Sequence, residues 1–124
     1  MIILLCVLSA VLTSVLGRLK HVGFVRSSAL LTIVFCFFAH IFKLDDSACL
    51  AAFFGGSFVG MTAASRLSLI SIIIASVLFG IVYENYILGA SSLGGTLGFV
   101  AFICTFTLYL SSKLVRRLWT VSKI

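Results

Sequence analysis

Apolar residues fall into runs too long and too numerous for a water-soluble fold, and this succession limits what the chain can become. A helix crossing a hydrocarbon core of about 30 Å needs about 20 apolar residues, with roughly 17 to 25 usual. Five stretches approach that length: 2–16, 27–44, 47–65, 67–83 and 87–112. Read as a single helix, 47–83 would be about 55 Å long at 1.5 Å per residue, so it breaks near Arg66. The spacing therefore predicts an all-α integral membrane protein: a five-helix transmembrane bundle with short hairpin loops, in one domain of 124 residues.

Composition leaves little room for anything else. Hydrophobic residues make up 62% and charged residues 10% of the chain, with no proline, and the mean hydropathy is +1.32. No polar tract could form a second, aqueous domain. The formal charge of +6 would suggest nucleic acid in a soluble protein. Here the basic residues lie between or after apolar runs, which points to topology instead. Residues 1–17 lack the basic start of a signal peptide and carry Arg18 and Lys20 behind them, so they are expected to remain as the first helix.

Charge sets the orientation. With the N-terminus outside and the C-terminus in the cytoplasm, Arg18, Lys20, Arg26, Arg66, Lys113, Arg116, Arg117 and Lys123 all fall on the cytoplasmic side. Asp45, Asp46 and Glu84 fall outside, and only Lys43 departs from the positive-inside pattern. An alternative makes 47–65 a re-entrant hairpin and inverts everything downstream, which leaves the basic tail outside, against the same rule. The expected location is a bacterial inner (cytoplasmic) membrane.

The clearest motif is a four-residue recurrence of small side chains in the third segment: Ala48, Ala52, Gly56, Gly60 and Ala64, with Gly55 beside them. On a helix this forms a smooth stripe that lets another backbone approach closely; it is expected to be a packing seam or the lining of a path. Ala90, Gly94 and Gly98 repeat the spacing in the fifth segment, and an offset of 38 residues also pairs Asp46 with Glu84. An offset of 39 scores alike, so the tandem two-helix repeat is weakly defined.

His40 is expected about one turn from the outer boundary. With Lys43, Asp45, Asp46 and Glu84 it would form an outer polar cluster able to respond to pH. The tail 113–124 alternates basic and apolar positions. Lys113, Arg116, Arg117 and Trp119 are its expected contacts with anionic lipid at the cytoplasmic face or with a partner.

No enzyme activity is expected. Glycine-flanked Ser57 is followed by Phe58 where a nucleophile would need close approach, and only His40 offers a base. Cys6, Cys36, Cys49 and Cys104 lie singly in apolar segments, so no metal or cofactor site is expected, although Cys6 and Cys49 share the outer side and are compatible with a disulfide. Five short helices enclose little volume. The expected function is a subunit of an oligomeric channel or small permease, working as a homo-oligomer or within a membrane complex. The alternative is a non-conducting accessory or sensor subunit that holds a partner through its seam and tail.

Overall fold

The computed structural model describes residues 1–43, 47–62, 66–87 and 94–121. Among these the chain is helical and contains no strand. Its helices are α1 (Ile2–Gly17), α2 (Phe24–Ile41), α3 (Ser47–Gly60), α4 (Leu69–Val82) and α5 (Gly94–Val121). A wider π-helical turn, Tyr83–Ile87, continues α4.

Local chemistry sets the helix ends. Gly23 precedes α2 with φ 70°, a left-handed conformation that glycine adopts without steric cost. The helix then starts at Phe24 and takes in Arg26, earlier than the expected start at 27, because a long basic side chain near a helix end can keep its charge at the surface. Ser68 starts α4 by accepting the Ser71 N–H at 3.4 Å. Lys43, just past α2, takes a left-handed φ of 52° and donates its N–H to the His40 carbonyl.

Side-chain pairings give the topology. Ser27 donates to the Thr13 carbonyl, closing α1 and α2 into an antiparallel hairpin. Phe35 of α2 stacks on Phe53 of α3 with ring centroids 4.0 Å apart. Tyr83 donates to the Ala48 carbonyl at 2.9 Å, so α4 runs antiparallel to α3. The helices thus alternate in direction, and α1, α3 and α5 are parallel. At the centre α1, α3 and α4 pack on one another, with α2 against α1 and α3 and α5 against α3 and α4.

Segment lengths differ from the sequence expectation. The α3 helix ends at Gly60 rather than continuing to 65, while α5, described from Gly94, runs past 112 to Val121. Three helices are long and apolar enough to cross a membrane: Phe24–Ile41, Leu69–Tyr86 and Gly95–Val121. With 16 and 14 residues, α1 and α3 extend only about 24 and 21 Å. The α3 segment is one continuous helix and not a hairpin.

Burial is inside out relative to a water-soluble bundle. On α1, Leu4, Leu8, Leu12 and Val15 are exposed, whereas Cys6, Ser9, Ala10, Thr13 and Ser14 have no accessible surface. On α2, Ile33, Val34, Phe37, Phe38 and Ile41 face outward while Ser27 and Ser28 are buried. So large an exposed apolar surface would drive association in water and is compatible with hydrocarbon.

Candidate functional site

The small residues of α3 are matched by small residues on α1. A Cβ added at Gly56 would lie 2.6 Å from the Cys6 carbonyl oxygen and 2.8 Å from its Cα. At Gly60 it would meet the Ala10 carbonyl oxygen, and would stand 2.9 Å from the Ala10 Cα and 2.8 Å from the Thr13 Cβ. Two parallel backbones are therefore in contact, and only glycine fits at either position. Side chains bond across the same seam: the Cys6 thiol donates to the Ala52 carbonyl at 3.4 Å and the Ser9 hydroxyl to the Phe53 carbonyl at 2.6 Å. Gly55 has a different neighbour, the ring of Phe79, which is the largest fully buried side chain.

The expected counterpart in α5 has different surroundings. A Cβ at Gly98 would have nothing within 4 Å, and the same holds for Gly95. Gly94 opens the helix, and Ala48 lies half-buried in the first turn of α3. Ala64 and Ala90 lie outside the described residues. The two proposed repeat units thus differ in what their glycines touch, although α3 and α5 run in the same direction.

Sequence reasoning missed a buried set of hydroxyls. Ser9, Thr13, Ser14, Ser27, Ser28, Ser57 and Ser76 are all buried, and these hydroxyl side chains are the buried polar ones among the described residues. The Ser28 and Ser57 hydroxyls share a hydrogen bond of 2.8 Å between α2 and α3, and Ser57 also bonds the Phe54 carbonyl. Thr13 Oγ1 and Ser14 Oγ are buried with no hydrogen-bond partner among the described residues. A buried unpaired hydroxyl costs about 1 to 3 kcal/mol. A legible signal existed in the spacing of Cys6, Ala10, Thr13 and Gly17 on α1, a second stripe of small residues that an eye fixed on glycine and alanine passes over.

At the end where α1 begins, His40 occupies the last turn of α2, with Lys43 just beyond it. Glu84 is exposed on the π-helical turn after α4. These groups come from helices on different sides of α1, since α2 and α4 make no substantial contact among the described residues. Asp45 and Asp46 lie outside the described residues. Cys6 and Cys49 are not joined in a disulfide.

At the opposite end gather Arg18, Lys20 and Arg26 around the α1–α2 turn, Arg66 before α4, and the C-terminal part of α5. The tail does not turn off along the surface. It continues α5 without a break to Val121, and every residue from Lys113 to Val121 is exposed, including Arg116, Arg117 and Trp119. The Lys113 ammonium sits 5.9 Å from the centre of the Tyr109 ring. Lys123 lies outside the described residues.

No protein-family model matches the chain, and no curated protein or solved structure is significantly similar to it.

Proposed function

We propose that the chain crosses the membrane five times, N-terminus outside and C-terminus in the cytoplasm, and acts as a non-conducting subunit that holds a partner protein in a membrane complex. One observation carries the assignment: the small-residue seam is filled from within the chain, while α5 projects beyond the bundle. Backbone atoms of α1 occupy the space beside Gly56 and Gly60, and Phe79 covers Gly55. The exposed stretch from Lys113 to Val121 extends about 13 Å as a continuation of α5. A basic helix end with an exposed tryptophan is suited to an acidic surface on a cytoplasmic partner.

The alternating helix directions support five crossings, because α3 enters at one end of the bundle and leaves at the other. Among the described residues every lysine and arginine except Lys43 lies at one end, the arrangement expected for the cytoplasmic side of a bacterial inner membrane. Short α1 and α3 are accommodated by local thinning and by their flanking turns. The test is native mass spectrometry after mild extraction, on the native chain and on the triple variant Arg116→Gln, Arg117→Gln, Trp119→Ala. A heteromeric mass that the variant loses while its bundle stays folded supports the assignment. A homo-oligomer without companions sinks it.

The buried hydroxyls favour a second reading, an oligomeric channel or small-permease subunit. Thr13 and Ser14, buried without partners among the described residues, would then contribute with the other buried hydroxyls to a path for a small polar species. In that case Thr13→Val, which keeps shape and removes the hydroxyl, reduces flux through the reconstituted protein; unchanged flux excludes it.

A further inference from the structure

Between the end of α3, the start of α4 and the middle of α5 lies a cleft of about 190 Å³ lined by Thr62, Arg66, Leu67, Phe102, Thr105, Phe106 and Tyr109. We propose that it binds the headgroup of one anionic phospholipid in the leaflet at the basic end of the bundle, an inference resting on the membrane-spanning part of the assignment above. Charge complementarity carries it. Arg66 is exposed and forms no ion pair among the described residues. Of the chain's three acidic residues, Asp45 and Asp46 lie outside the described residues, and Glu84 stands at the other end of the helices. A guanidinium held at headgroup depth without a carboxylate is matched by a phosphodiester, which accepts two of its N–H donors at once.

The remaining lining divides into donor, acceptors and apolar wall. Tyr109 is half-buried, and its hydroxyl makes no hydrogen bond among the described residues, leaving its proton for a phosphate oxygen. The Thr62 hydroxyl donates to the Val59 carbonyl and that of Thr105 to the Ala101 and Phe102 carbonyls, so both present only lone pairs to the cleft. Lone pairs beside a bound phosphate suit a headgroup with hydroxyls of its own, such as glycerol, and offer nothing to a quaternary ammonium. The volume falls below the roughly 300 Å³ of ordinary small-molecule sites, which limits the cleft to a headgroup. Phe102 and Phe106, both exposed, continue the wall outward as a surface for acyl chains.

The experiment counts lipids retained by the full chain in nanodiscs containing phosphatidylglycerol or phosphatidylcholine, using native mass spectrometry with stepwise activation. One phosphatidylglycerol should stay bound after the annular lipids are lost, and phosphatidylcholine should not. Arg66→Gln should weaken retention about ten-fold, as expected for one charge-assisted contact. Tyr109→Phe should weaken it less, and Arg116→Gln with Arg117→Gln should leave it unchanged. Equal retention of both lipids, or retention indifferent to Arg66→Gln, overturns the proposal. So does saturation of the Arg66-dependent site by inorganic phosphate in lipid-free detergent, which would make it a site for free phosphate. Lipid is counted on protein already inserted, so a negative result bears on this cleft and not on the membrane assignment.

Discussion

Replacing Gly56 by alanine puts two known effects in opposition. Alanine favours a helix over glycine by about 1 kcal/mol, so on an unobstructed face the change stabilises. At Gly56 the new methyl would sit 2.6 Å from the Cys6 carbonyl oxygen and 2.8 Å from its Cα, and neither atom can rotate away. Carbon contacts are optimal at about 3.5 Å or beyond, so α1 would have to withdraw by about 1 Å. Overpacking of this kind costs about 1 to 3 kcal/mol. Withdrawal also stretches the Cys6–Ala52 and Ser9–Phe53 hydrogen bonds, each worth about 0.6 kcal/mol between membrane helices. The expected net effect is a loss of about 1 to 2 kcal/mol. Gly98→Ala is the control: its methyl meets nothing within 4 Å, and the same substitution should be neutral or stabilise. Both variants can be measured by steric trapping or by titration of mixed micelles with sodium dodecyl sulfate. Should Gly56→Ala be as stable as Gly98→Ala, the inferred contact of backbones between α1 and α3 is not present.

Ser28→Ala and Ser57→Ala should be coupled in a double-mutant cycle by about 0.6 kcal/mol through their shared hydrogen bond; additive losses would place the two hydroxyls apart. Tyr83→Phe removes the bond to the Ala48 carbonyl and should lower stability by about 0.5 to 1.5 kcal/mol in the same unfolding assay. In a cysteine-free background, Lys20→Cys should react with an impermeant maleimide only from the cytoplasmic side and Asn85→Cys only from outside. Labelling of both from one side would end the five-span topology.

Residue type in this chain announces segments more clearly than their partners. The apolar runs gave the number and order of the helices, because each must satisfy its own backbone before it meets a neighbour. Ends were less legible: Arg26 reads as loop yet lies within α2, and Met61 and Thr62 read as helix although α3 stops at Gly60. The tail beyond 112 reads as an interfacial segment because its charge breaks the apolar pattern, yet the hydrogen-bond ladder of α5 continues into it as far as Val121. The candidate site was visible as the α3 stripe but not as a pair. The complementary surface on α1 uses a cysteine and a threonine as small residues, and Gly98 shares the α3 spacing without sharing its contact. Pairing depends on which helix arrives beside which, and a four-residue period does not encode that.

The contact between α1 and α3 also sets a timetable for synthesis. The groups that bond Cys6 and Ser9 are 46 and 44 residues downstream. At roughly 5 to 20 residues per second, α1 waits several seconds with its hydroxyl-rich face open before α3 leaves the ribosome. Pairing with α2 covers only part of that face, through Ser27. If the chain crosses the membrane five times as proposed, the newborn first helix is the segment most in need of shelter by the insertion machinery. On that topology, a stall between α2 and α3 would leave a hairpin whose polar stripe has nothing to face but lipid, a natural mark for membrane proteases.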